Sequence, residues 1–232
     1  MKLLNHIRQR LQADEIWSYV GAKAKHATDE QKAAGWGDCW TWTGIDSESK
    51  LIISYMVAER RPHFAYEFMK DLRTRISTRR IQLTTDAAYW YADAVDFAFG
   101  ADVDFATVTK HFATSQADAP ANVRYSPTKI TSQTKEVITG NPAERYISTS
   151  HVERQNLSMR MGMRRFTRLT NGFSKKLENH VAANALYFLH YNFARIHRTL
   201  RVTPAMAAGL ADHVWSIEEI VGLLDRTSAV AA

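Results

Sequence analysis

Residues 81–100, IQLTTDAAYWYADAVDFAFG, change period half-way along. The first five are a short apolar and β-branched run of strand length, and it ends on Asp86. From Tyr89 to Phe99 the apolar residues return at helical spacing, and Gly100 closes the pattern as a C-terminal glycine does. The unit is a strand that runs into a helix and presents a carboxylate at its tip.

Upstream, residues 14–21, DEIWSYVG, have the content of a strand stopped at Gly21, and residues 22–37 read as a loop. Residues 39–58 hold two strand-like runs around Asp46-Ser47-Glu48-Ser49, whose side chains favour a hairpin turn. Pro62 opens a helix to about Thr78, with Ala65, Phe68, Met69, Leu72 and Ile76 at helical spacing. Residues 1–12 predict no more than a short basic helical remnant. Downstream, residues 102–109 suggest another strand. Residues 115–150 are polar, hold Pro120, Pro127, Gly140 and Pro142, show no period, and read as an insertion. Two helices follow, over 150–176 and 176–197, the second with Leu177, Val181, Ala185, Phe188 and Leu189 on one side. A tail over 201–232 holds a short helix capped by Ser216, with Glu218 and Glu219 in its first turn. Antiparallel strands followed by alternating helices and strands predict an α/β fold, a mixed five-stranded sheet flanked by helices, in one domain over 13–200.

Composition bounds the rest. A chain of 232 residues, 45% hydrophobic and 11% aromatic, can bury one sizeable core. The single cysteine, Cys39, excludes an internal disulfide framework and a cysteine-based zinc site, and suits a reducing compartment. No apolar run reaches the about 18 residues of a membrane span, and the first dozen residues lack a signal-peptide core. A soluble, intracellular protein is expected. Net charge is +6, yet between Arg145 and Arg201 eleven Lys and Arg face two acids. The basicity is local, which points to a polyanion-binding surface.

Residues 150–176, SHVERQNLSMRMGMRRFTRLTNGFSKK, concentrate it: Glu153 is the one acid among seven cations. On a helix, Glu153, Asn156, Arg160, Arg164 and Thr167 share a face, and Val152, Met159, Met163 and Phe166 form an apolar stripe beside it. A carboxylate heading a face of Asn and Arg suits a divalent metal at one point and phosphates beyond it; an amphipathic core helix with a solvated basic face fits equally. Asp14 in the first strand and Asp86 after the fourth would converge with Glu153 if those strands were neighbours. Three carboxylates in one pocket repel unless one or two Mg²⁺ or Mn²⁺ ions neutralise them. Glu15 should point to the opposite sheet face by alternation, and Asp46 should serve its turn. His151 suits a cap or loop. His190 and His197 lack a partner set at metal spacing and suit packing or phosphate contacts. Trp17, Trp36, Trp40, Trp42 and Trp90 are expected in the core.

Four blocks carry a resemblance: ADEIWSYVGAK (13–23), WTWTGIDSESKLI (40–52), LTTDAAYWY (83–91) and HVERQNLSMRMGMRRFTRLTNGFSKKLENH (151–180). Together with YNFARIHRTLRVTPAMAAGL (191–210), they resemble the catalytic domain of bacterial insertion-sequence-one (IS-one) family transposases of the DDE type. The resemblance implies a ribonuclease H-like fold and a catalytic triad of Asp14, Asp86 and Glu153 binding two Mg²⁺ or Mn²⁺ ions. It implies DNA cleavage and strand transfer, with Asn156, Arg160, Arg164, Arg165, Arg168, Lys175 and Lys176 holding DNA. The implied partners are element ends, target DNA and further copies of the chain, in a bacterial cytoplasm at the nucleoid. Ala87 stands where many relatives have glycine. The family's N-terminal helix-turn-helix domain is expected to be missing, since thirteen residues ahead of Asp14 cannot hold one. A silent remnant that binds DNA or a partner transposase, and a general ribonuclease H-like nuclease, remain alternatives.

Overall fold

The computed structural model describes residues 10–77, 80–112, 130–167 and 170–230, the side chains of 224–230 excepted. In order, the elements are β1 (Arg10–Val20), α1 (Asp29–Ala33), β2 (Gly37–Asp46), β3 (Ile52–Ala58), α2 (Pro62–Thr74), β4 (Ile81–Asp86), α3 (Trp90–Phe99), β5 (Val103–Phe112), β6 (Ile130–Thr139), α4 (Ser150–Gly162), α5 (Leu177–Leu189), α6 (Pro204–Ala207) and α7 (Ile217–Val230). The strands form one sheet in the order β3-β2-β1-β4-β5-β6. β1, β2 and β3 pair antiparallel, β4 and β5 run parallel to β1, and β6 returns antiparallel to β5. The fold is a mixed α/β sheet flanked by helices, ribonuclease H-like in its strand order, with β1 and β4 side by side at its centre.

Local chemistry explains the first half. The Asp46 carboxylate accepts the Ser49 N–H (2.8 Å) and hydroxyl (2.5 Å), closing the β2–β3 hairpin in the structural role expected of it. Gly44 is where α2 crosses, for a Cβ there would lie 2.9 Å from Leu72. Ala65, Phe68, Met69 and Leu72 turn inward from α2 and join Leu11, Trp42, Leu83, Tyr91, Val95 and Phe105 in the larger core. Gly100 ends α3 at φ 50, as its position after Phe99 predicted. On the other sheet face a smaller cluster gathers Ile16, Ile45 and Ile52 under Val152, Met159, Phe166, Phe188 and Tyr191.

The second half departs from the expectations more. The sheet has six strands, because β6 lies inside the stretch read as an insertion; nearly every residue of β6 is exposed, so no buried face imprints an alternation on its sequence. The helix expected over 150–176 stops at Gly162, and Met163 is extended before a 3₁₀ turn over Arg164–Phe166. Its apolar stripe does reach the core, Phe166 by a bend of the chain rather than along a helix. The apolar side expected of α5 is only partly the buried one: Phe188 is buried and Ala185 and Leu189 are half-buried, but Leu177 and Val181 are each 41% exposed, while His180 and Asn184 are buried. That reversal is eased by partners: His180 meets the hydroxyls of Ser18 (3.1 Å) and Ser174 (2.8 Å), and Asn184 donates to the His180 carbonyl (2.9 Å), although the buried Asn184 Oδ1 has no hydrogen-bond partner among the described residues. α5 then widens into a π turn, His190–Ala194, whose Asn192 exchanges hydrogen bonds with both backbone groups of Ile52 on edge strand β3 (3.0 and 2.9 Å). β1 begins at Arg10, so residues 10–12 are strand rather than a helical remnant; the rest of that remnant lies outside the described residues. A capped helical turn, α1, interrupts the loop over 22–37.

Candidate metal and nucleic-acid site

β1 and β4 pair through Arg10↔Gln82, Leu11↔Leu83 and Gln12↔Thr84, and there the ladder stops. Two residues further along each strand stand Asp14 and Asp86. The ending of the ladder opens a notch between neighbouring parallel strands, at the carboxyl end of β4, where α/β sheets tend to place ligands. One carboxylate oxygen each from Asp14, Glu15 and Asp86 lies within 4.8 Å of the others.

Glu153 arrives on α4. The Gln12 side-chain oxygen accepts the backbone N–H groups of His151 (2.8 Å) and Val152 (3.1 Å), tying the first turn of that helix to β1 two residues before Asp14. One turn on, the Asn156 amide donates to Asp14 (2.8 Å), whose other oxygen accepts the Glu15 N–H (2.8 Å). Glu153 accepts from the Thr149 hydroxyl (2.6 Å) and is ion-paired with Lys110 of β5. It is close enough for its charge to act on both Asp14 and Asp86. The expected triad therefore shares one neighbourhood, but the tightest trio contains Glu15 in place of Glu153.

Alternation is correct for Glu15 at its root and insufficient at its tip. Its carboxylate accepts from Tyr91 of α3 on the opposite face (2.6 Å) and from Arg60 (2.6 Å), and its side chain is 1% exposed. The long side chain still reaches the opening beside Asp14 and Asp86. The Arg60 guanidinium also lies 3.7 Å from Asp86 and over the Trp90 ring. Alternation set Glu15 aside, and Arg60, Tyr91, Lys110 and Thr149 went unrecognised in the sequence. Contacts distant in sequence bring in Arg60, Tyr91 and Lys110, and no local pattern marks those, whereas Thr149 meets Glu153 only four residues on.

The acids are held against their own charge. Burial raises Asp14 first, and the charges of Glu15, Asp86 and Glu153 add to it, pushing its pKa from 3.8 to about 8. Burial likewise raises Asp86 and Glu15, although Arg60 opposes both shifts. Such a group of oxygens holds protons or a cation. Divalent ions with oxygen preference fit the donor set, and the buried Asn156 Oδ1, without a hydrogen-bond partner among the described residues, leaves one more unsatisfied acceptor beside Asp14.

Around this centre, Arg160, Arg164, Lys175 and Lys176 are exposed, although Arg164 no longer continues the α4 face. Arg165 donates to Ser174 (2.9 Å), and Lys175 lies over the Phe173 ring. Asn156 is only 6% exposed and faces Asp14 rather than solvent; Arg168 lies outside the described residues. The His151 ring sits by Lys50, in the first turn of α4 rather than in a loop. His190 is exposed and His197 half-buried. Of the tryptophans, Trp42 is fully buried and Trp17, Trp36, Trp40 and Trp90 are half-buried.

No family model matches the chain, and no curated protein matches it. Among solved structures it is similar to a piggyBac transposase synaptic complex with hairpin DNA, at 12% identity and a TM-score of 0.35, over 78% of this chain and 44% of that one. The chain thus spans less than half the length of that protein. No helix among the described residues is long and apolar enough to cross a membrane.

Proposed function

We propose that this chain is a metal-dependent polynucleotidyl transferase, a DDE-type DNA transposase of the insertion-sequence-one kind. The observation that carries the reading is the crowding of Asp14, Glu15 and Asp86 at the β1–β4 opening, with Glu153 beside them. A pocket of buried carboxylates calls for a divalent cation, and the adjoining basic surface suits the polyanion such an ion would act on. Asp14, oriented by Asn156, and Asp86 would hold Mg²⁺ or Mn²⁺, with Glu153 completing the set once released from Lys110. A bound pair of such ions supplies Lewis-acid stabilisation to both the attacking and the departing oxygen of a phosphodiester. Arg160, Arg164, Lys175 and Lys176 would hold the DNA backbone in register, and element ends, target DNA and further copies of the chain would be its partners.

The test is nicking of supercoiled DNA that carries the repeats flanking the native gene. Asp86→Ala should abolish Mg²⁺-dependent nicking and leave salt-sensitive DNA binding nearly unchanged. Equal activity in the variant and the parent removes the catalytic assignment. One observation favours a second reading, a DNA-binding relative without chemistry: Lys110 and Thr149 already satisfy Glu153. On that reading Mn²⁺ leaves the melting temperature unchanged, whereas the first requires it to rise.

A further inference from the structure

The sheet face that carries the acids carries a second site lower down. On β1, Arg10, Gln12 and Asp14 point to the α4 side, and Gln82, Thr84 and Asp86 do so on β4. Gln12 proves the side by binding the first turn of α4, and Gln82 by exchanging two hydrogen bonds with the backbone of Ala143 (3.2 and 3.0 Å), in the segment that leads into α4. The pairs Arg10↔Gln82 and Gln12↔Thr84 are thus rungs of one ladder that points up to the acids. Its lowest rung opens into a cavity of about 480 Å³, lined also by Arg80, Arg145 and Tyr146.

Three guanidinium groups line this cavity against a single carboxylate, Asp104. Arg80 is committed to that carboxylate (2.7 and 3.0 Å) and to the Ala101 carbonyl (2.8 Å). Arg10 is ion-paired with Glu48 of the β2–β3 turn and lies over the Tyr146 ring, 3.6 Å from its centroid. Arg145 lies over the same ring at 4.5 Å and, among the described residues, has no ion pair. Both guanidinium groups thus lie within 4.5 Å of one ring centroid at the cavity, and their like charges favour an anion there.

We propose that this cavity binds a phosphate of the nucleic-acid strand whose other part reaches the acid cluster. Four residues of strand separate Arg10 from Asp14, about 13 Å, or about four nucleotides of rise along one DNA strand. The cavity would fix where along the strand the acids fall. The identity of the ligand as DNA rests on the function proposed above.

The experiment is fluorescence anisotropy of a fluorescein-labelled 20-base-pair duplex in EDTA, over a series of salt concentrations. It compares the parent chain, Arg145→Gln and Arg145→Glu, with circular dichroism to confirm folding. Arg145 is exposed, so its replacement should leave the fold intact. Arg145→Gln is expected to weaken binding about three- to tenfold, with the log–log salt slope reduced by about one, and Arg145→Glu to weaken it further. If both Arg145 variants bind with the parent's affinity and slope, the cavity assignment falls while the DNA reading stands. If the parent itself does not bind the duplex, both fall. At constant ionic strength, millimolar inorganic phosphate should displace the duplex from the parent more readily than from Arg145→Glu, because free phosphate would compete with the strand for the cavity; equal displacement from both would overturn the cavity assignment.

Discussion

The two faces of the sheet are built in opposite ways. Under α2 and α3 the contact is almost wholly apolar, with Phe68, Met69, Leu72, Trp42 and Phe105 fully buried among one another. Under α4 and α5 a smaller apolar cluster is interleaved with buried Gln12, Gln155, Asn156, His180, Asn184 and Asn192. A buried polar group contributes only about 1 kcal/mol when it is paired, and it costs free energy when it is not. The first face therefore supplies stability, and the second gives some up to hold carboxylates where they repel one another. Stability and chemistry should separate cleanly when each face is mutated.

The largest effect expected is on the polar face. Asp14→Asn should lower metal-dependent nicking by a thousandfold or more, about 4 kcal/mol of transition-state stabilisation, while making the metal-free protein more stable at pH 8. The sign follows from its pKa, raised from 3.8 to about 8 in the fold. Between those values the unfolded chain ionises and the folded one keeps its proton, so the parent loses stability as pH rises through the window, and asparagine escapes that loss. The matched change on the apolar face is Phe68→Ala, which should cost about 3–5 kcal/mol and leave activity per folded molecule near the parent's. Thermal melts and single-turnover nicking of both variants break the comparison if Asp14→Asn melts lower than the parent, or if Phe68→Ala loses activity beyond its loss of fold.

The same contrast explains what the sequence could tell. The apolar face was legible nearly residue by residue, because Ala65, Phe68, Met69 and Leu72 recur at the helical period and each is buried. Asp14 and Asp86 could be placed at strand positions, and the resemblance joined them to Glu153. The polar face hid more. Helix α5 buries His180 and Asn184 and exposes Leu177 and Val181, so a rule that sends apolar residues inward picks the wrong side. Exposed β6 had no face to announce. Glu15 entered the site only because the β1–β4 ladder ends at Gln12 and Thr84, a tertiary fact with no signature in local spacing.

A smaller effect is expected at His180. Burial first and the charge of Arg165 second depress its pKa from 6.5 to about 4. Above pH 6.5 it is neutral in both states and its contribution is complete. As pH falls toward 4 the unfolded chain takes up a proton that the folded one refuses, and about 3 kcal/mol is lost. Asp14 has the opposite slope over the same range, so the two partly offset in the parent. Urea unfolding of His180→Gln and the parent at pH 7, 5.5 and 4.5 isolates the histidine: their stability difference should shrink as the solution is acidified. A difference constant with pH would mean that His180 is protonated inside the fold.

The smallest effect sits where the faces meet. The Tyr91 ring is packed in the apolar core against Trp42, while its hydroxyl donates to Glu15 at the edge of the acid cluster. Tyr91→Phe keeps the ring and deletes the hydrogen bond, so the cost should be near 1 kcal/mol, far below a cavity. Its consequence for the site should be larger than that figure suggests, since Arg60 would be left as the side-chain partner of Glu15 among the described residues, and the same guanidinium lies 3.7 Å from Asp86. A freed Glu15 carboxylate would compete for the cation. We expect the Mn²⁺ concentration for half-maximal nicking to shift two- to fivefold, with maximal activity close to the parent's, a change of under about 1 kcal/mol. A stability loss near 1 kcal/mol with an unchanged Mn²⁺ dependence would confine Glu15 to the apolar side of the boundary and return the cluster to Asp14, Asp86 and Glu153.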